Sequence, residues 1–206
     1  MKRIVCVVLA VLIAAGCLYA EDISIGGGVG SVIIQDEGFG RGYVVLTSSP
    51  AFSFMAEFAS ENFGVRGAVD FRFSRSEDYY DDEMEDTDSD VYLYLVPYFS
   101  WKNDSWTYSA GPLIGLNFYK YNYGYKGEKP TRKTSETYFI WGGDIGFKYE
   151  LSSHISAYMN VPVIFAPSCI SETEENNGVK TENKDSSFGY YAYVYAIPRI
   201  GIIYKF

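Results

Sequence analysis

From Ile23 to Phe206, apolar side chains recur at every second position in stretches of about ten residues, and no stretch keeps the 3.6-residue interval of a helix. A period of two belongs to a strand with two chemically different faces, which restricts the chain to β-structure. Eight stretches stand out, at approximately 23–34, 51–59, 65–75, 91–101, 106–120, 138–151, 155–166 and 190–206. The segments between them alternate in length. Glu61-Asn62-Phe63-Gly64, Lys102-Asn103-Asp104-Ser105 and Ser152-Ser153-His154 are short and rich in turn formers. The segments at about 35–50, 76–90, 121–137 and 167–189 are long and polar. Short turns at one end and long loops at the other predict an all-β fold: an eight-stranded antiparallel up-and-down barrel.

The two faces differ in chemistry. One carries Ile23, Ile25, Val29 and Ile33 in the first stretch and continues through Phe54, Val69, Leu93, Ile114, Ile145, Met159 and Ile202, with no charge before Lys120 at a loop. The other carries Glu57, Arg66, Asp70, Arg72, Asp144, Lys148, Glu150, Arg199 and Lys205, interleaved with Gly26, Gly28, Gly30, Gly111, Gly115, Gly142, Gly146 and Gly201. A soluble sandwich or lipocalin-like carrier turns its apolar face inward, whereas a membrane barrel turns it outward. Two features favour the membrane. Trp101, Trp106, Trp141, Tyr108 and Tyr149 fall near strand ends, as interfacial aromatics do, and glycines share the charged face, where a narrow lumen needs room. An Arg or Lys at the lipid midplane costs about 2–4 kcal/mol, so the absence of charge from a whole face is informative. The expectation is a transmembrane barrel whose lumen holds a charge network of Glu57, Arg66, Asp70, Arg72, Asp144, Lys148, Glu150 and Arg199, with outer-membrane lipid around it.

Lys2 and Arg3, the apolar run Ile4 to Ala15 and the small residues after it have the layout of a secretory signal, and the run is shorter than the ~20 residues of a membrane helix. The expected organisation is a signal peptide over 1–20 and a barrel domain over 21–206. Ala14-Ala15-Gly16-Cys17 also resembles a bacterial lipobox, which would make Cys17 an acylated N-terminus instead. Without residues 1–20, fifteen Lys and Arg face 26 Asp and Glu, a balance unsuited to non-specific nucleic-acid binding. Cys169 and His154 are then each alone, which excludes a disulfide framework and a Cys/His zinc site. No metal or other cofactor is expected.

The chain ends Arg199-Ile200-Gly201-Ile202-Ile203-Tyr204-Lys205-Phe206, with hydrophobic residues at alternate positions up to a final aromatic. This resembles the C-terminal insertion signal of bacterial outer-membrane β-barrels, and the whole layout resembles the small eight-stranded type (OmpA- or OmpX-like, in the porin-like superfamily). By that resemblance the barrel-assembly machinery is a partner during biogenesis, and Gly201, Tyr204 and Phe206 form the barrel-insertion signal.

Candidate chemistry outside the lumen is sparse. Nine of the fifteen residues from Ser76 to Asp90 are acidic. Asp86, Asp88 and Asp90 match the opening spacing of a calcium loop, but its turn Gly and closing Glu are missing, so a solvated acidic loop is expected. Loop 121–137 is its counterweight, with Lys126, Lys129, Arg132 and Lys133 among Tyr121, Tyr123 and Tyr125; it would contact an acidic partner or the barrel's own acidic loop. Some small barrels are lipid-modifying enzymes, and His154 with Ser152 and Ser153 offers a base and a hydroxyl, yet on the short-turn side a lone His is expected to be a turn residue. Asp144 with Glu150 is expected to be structural among its basic neighbours, and Cys169 an incidental thiol. The expected protein is not an enzyme: it has a side-chain-filled lumen and meets an extracellular or envelope ligand through its long loops. A narrow porin or small-solute channel, a soluble ligand carrier and a lipid-modifying enzyme are the alternatives.

Overall fold

The computed structural model describes residues 22–37, 44–77, 84–125, 128–183 and 193–206; the expected signal segment, with Cys17, lies outside them. Among these residues ten strands follow one another: β1 (Asp22–Glu37), β2 (Val44–Ala59), β3 (Phe63–Glu77), β4 (Met84–Asn103), β5 (Trp106–Tyr125), β6 (Arg132–Glu150), β7 (Ile155–Asn176), β8 (Val179–Asn183), β9 (Tyr193–Ala196) and β10 (Arg199–Lys205). Each pairs antiparallel with its neighbour from β1 to β8. β9 and β10 both lie between β7 and β1 and close the sheet.

Together β9 and β10 form one wall position, interrupted at Ile197-Pro198, where Ile197 N–H donates to the Pro162 carbonyl at 3.0 Å and Ser31 N–H to the Pro198 carbonyl at 3.1 Å. β8 is a short addition outside the wall, so the barrel has eight positions, and closure satisfies the backbone where no water can.

The face expected in lipid is outside. Phe54, Phe99, Ile145 and Ile200 are 54–68% exposed, whereas Glu57, Arg66, Asp70 and Arg199 are at most 1% exposed. That orientation overturns the soluble-carrier alternative, since an apolar exterior round a charged interior is stable only in hydrocarbon. Among the described residues no helix is long and apolar enough to cross a membrane; the strands cross instead. Trp101 stacks on Tyr108 at 5.8 Å and Trp106 packs against Tyr149 at 4.8 Å beside the short turns. Trp141 stacks on Phe165 at 5.0 Å towards the other end of the lipid-facing band.

The strands outrun the expected boundaries on the long-loop side. Residues 84–90, 121–125, 132–137 and 167–176, all expected in loops, are strand, and β7 turns at Asn177-Gly178 (φ 47° and 82°) into β8. Beyond the membrane both faces are polar, so the ladder continues without the apolar contrast that makes a period of two visible. β2 likewise starts at Val44 and runs through Pro50. Its pairing with β3 begins only at Ala51, so the N–H that Pro50 lacks falls on an edge with no partner to serve.

Candidate functional site: the luminal network and the sheet beyond the membrane

Inward positions of the spanning strands bring charges together across the lumen. Arg66 on β3 donates through Nε to Glu57 on β2 at 2.7 Å, through Nη1 to Asp144 on β6, and through Nη2 to the Ser109 hydroxyl on β5 at 3.3 Å. Lys148 on β6 reaches the second oxygen of Glu57, and Asn160 on β7 donates to Asp144 at 3.2 Å. Glu57 and Lys148 stand four wall positions apart, on opposite sides of the eight-position barrel. A second cluster sits further out: Arg199 donates to Asp70 and to the Tyr94 hydroxyl, both at 2.6 Å, while Tyr94 and Ser53 donate to Asp70. A third joins Arg72 to Asp90 at 2.5 Å and to Asp88 at 2.6 Å, with Asn117 Nδ2 donating to Asp90 at 3.0 Å.

Seven of the eight expected luminal charges fall in these clusters. The eighth, Glu150, is a correction: it lies at the short-turn rim, where it pairs with Lys102 at 2.6 Å with both side chains about half exposed. Its position near the strand end carries it past the closed section, so Asp144 and Glu150 do not form a carboxylate pair. Lys205 pairs with Asp22 at the same rim. Asp88 and Asp90, expected in a solvated loop, are instead the luminal partners of Arg72. They share the parity of Tyr92 and Tyr94, a signal that the run of acids masks. The interior also packs Tyr92, Tyr94, Tyr98, Tyr158, Val96, Ile140 and Ile164, which the charged-and-glycine reading of that face missed. Their room comes from glycines: a Cβ on Gly64 would collide with the Tyr98 ring.

Above the membrane, in-register pairs set three rungs on one sheet face, continuous with buried Asp90. The first holds Asp90, Tyr119, Glu136 and Glu172, the second Asp88, Tyr121, Thr134 and Glu174, the third Asp86, Tyr123, Arg132 and Asn176. Tyr121 donates to Asp86 at 3.0 Å; burial and this carboxylate push its hydroxyl pKa up to about 12. Arg132 pairs with Glu174 at 3.0 Å, and Lys133, on the opposite face, with Glu175 at 3.5 Å. The basic segment thus contacts acids of its own barrel. Among the described residues no group of three His, Cys, Asp or Glu side chains is arranged to hold a metal ion.

The remaining candidates are scattered. Cys169, expected at a loop start, lies within β7 opposite Tyr138. His154 is exposed at the β6–β7 turn, with Nδ1 2.8 Å from the Ser153 hydroxyl and its ring stacked on Tyr204 at 6.0 Å. Tyr204 in turn packs edge-on against Phe206 at 5.1 Å, and Phe206 N–H donates to the Ile23 carbonyl at 3.0 Å. Gly201 lies opposite both Gly28 and Tyr158, and a Cβ there would come within 2.7 Å of the Tyr158 ring.

No family model matches the sequence, and no curated protein matches it. Solved structures do. A major outer membrane protein from Thermus thermophilus superimposes with a TM-score of 0.62 at 18% identity, over 90% of this chain and 98% of that one. Neisserial surface protein A gives 0.59 at 8% identity, over 89% and 97%. The attachment invasion locus protein Ail of Yersinia pestis, solved in complex with the heparin analogue sucrose octasulfate, gives 0.54 at 13% identity, over 90% and 98%. With its apolar exterior and charged interior, the chain has the fold of a small bacterial outer-membrane β-barrel.

Proposed function

We propose that this protein is an integral outer-membrane barrel whose lumen is closed by its own side chains and which acts at the cell surface through the sheet that rises beyond the membrane. The observation that carries this reading is the burial of the luminal charges. Arg199 and Asp70 have no accessible side-chain surface, and Arg66, Glu57 and Asp144 have 1–2%. A water-filled bore would leave such side chains wet. Opposite charges held by hydrogen bonds across the lumen resist rearrangement, because separating them strands an ion in low dielectric.

The extracellular sheet is where a partner has access. The heparin analogue bound by Ail is a polyanion; the carboxylates at Asp86, Asp88, Glu136, Glu172 and Glu174 would repel one, so a partner of different charge fits this surface. The reading is tested by fractionation, by comparing unboiled and boiled extract on a gel, and by conductance in a planar bilayer. Membrane residence, a fast-migrating unboiled band and no steady current are the expected results. Steady ion flow through the wild-type barrel would overturn the closed lumen.

A further inference from the structure

We infer that the extracellular face built from the Asp90, Asp88 and Asp86 column of β4, the Tyr119 and Tyr121 column of β5, and Glu136 and Glu172 is a binding site for primary ammonium groups. This inference rests on the reading of the extracellular sheet as the functional surface and goes further by naming the chemistry of the ligand.

Charge is the first ground. Six carboxylates on this face, those of Asp86, Asp88, Asp90, Glu136, Glu172 and Glu174, meet two guanidinium groups among the described residues, those of Arg72 and Arg132. Glu136 and Glu172 are direct cross-strand partners; the Tyr138 hydroxyl donates to Glu136, and among the described residues no ion pair joins either carboxylate to a base. Like charges placed directly opposite each other destabilise a sheet, so a cation held between these two carboxylates would relieve their repulsion.

The floor of the face is the second ground. Asn117 is 1% exposed and donates its amide to Asp90, while its Oδ1 has no hydrogen-bond partner. Tyr92, fully buried in the neighbouring register position, has an unpartnered hydroxyl. Asn117 Oδ1 only accepts, so it calls for a donor, and an ammonium group supplies three. Above it, Tyr119 and Tyr121 stand beside the carboxylate column of β4, with Glu136 opposite Tyr119 on β6, and aromatic rings next to carboxylates attract cations through both π-face and charge. Rungs on one face repeat every two residues, about 6.8 Å along the strand. That spacing suits a chain with several ammonium groups: the lysines of an extended peptide or the nitrogens of a polyamine.

The test uses the full barrel in lipid nanodiscs, titrated with fluorescein-labelled octa-lysine, with spermine as competitor and octa-glutamate as the oppositely charged probe. Octa-lysine binding without octa-glutamate binding is expected. Glu136→Gln with Glu172→Gln should weaken it at least tenfold while the unboiled band keeps its mobility, because removing a repulsive pair does not harm the fold. Glu175→Gln with Glu182→Gln makes the same charge change on the opposite face and should leave affinity within twofold. Equal loss in both pairs, or no binding by the wild type, overturns the site. Spermine competing at matched ammonium concentration assigns it to polyamines, and failure to compete assigns it to lysine-bearing peptides; either supports ammonium recognition. Conductance on the same preparation separates the two readings: lost ammonium binding with a silent bilayer removes only this site, whereas steady current removes only the closed lumen.

Discussion

Arg199 on the closing strand and Asp70 on β3 meet at 2.6 Å with neither side chain accessible to solvent, although 129 residues of chain separate them. Tyr94 bonds to both, so the contact is a three-membered unit spanning the lumen from one wall to the other. Removing one member of such a pair leaves an uncompensated buried charge, at a cost of about 3–5 kcal/mol. Arg199→Met and Asp70→Asn should each lower stability by that order in urea titrations of vesicle-reconstituted barrel. Arg199→Met combined with Asp70→Leu should recover much of the loss, since the pair then leaves together.

Lipid contact sets the second prediction. Ile145 lies on the outer face midway along the lipid-facing part of β6 and is 54% exposed, as a membrane-facing side chain must be outside its bilayer. Ile145→Arg should cost about 2–4 kcal/mol in the same titration. Val179, 70% exposed on β8 beyond the membrane, should accept Arg within about 0.5 kcal/mol.

Gly146 tests the space that glycine provides inside. A Cβ at that position would lie 2.5 Å from the Asn160 amide nitrogen and from the Ser109 hydroxyl, and 3.3 Å from Arg66 Nη2. Gly146→Ala should therefore destabilise by about 1–3 kcal/mol, as overpacking does. All three contacts are side-chain atoms of the Arg66–Asp144 cluster, so the loss is read as a fall in the unfolding midpoint.

The C-terminal residues give a prediction about biogenesis. Phe206 packs on Tyr204 and bonds back to β1 at Ile23. We propose that this segment is also the assembly signal, so deleting Phe206 should reduce the folded, heat-modifiable protein recovered from the outer membrane by severalfold. Tyr204→Ala should fall between the deletion and the wild type. Unchanged yield after the deletion would assign these residues to the finished barrel alone.

Much of this architecture is legible in the alternation of side chains. Ile23, Phe54, Leu93 and Ile145 on one parity, and Glu57, Arg66, Asp70 and Arg199 on the other, determine that there are two faces and which residues share each. The charge-free width of the first, with aromatics at its borders, determines that it belongs in lipid. Where both faces are polar the signal fades, so the strand carrying Asp86, Asp88 and Asp90 reads as a loop, and the rungs beyond the membrane are invisible.

Partnership is what only the tertiary structure decided. Alternation is local and says which side a residue takes, but not which residues meet across a closed lumen. Whether Lys148 finds Glu57, or Glu150 slips past the rim to Lys102, depends on how far each strand is staggered against the next around the whole circle. That stagger is fixed by backbone pairing accumulated over eight wall positions and by the space left at glycines such as Gly146, which no single stretch of sequence contains.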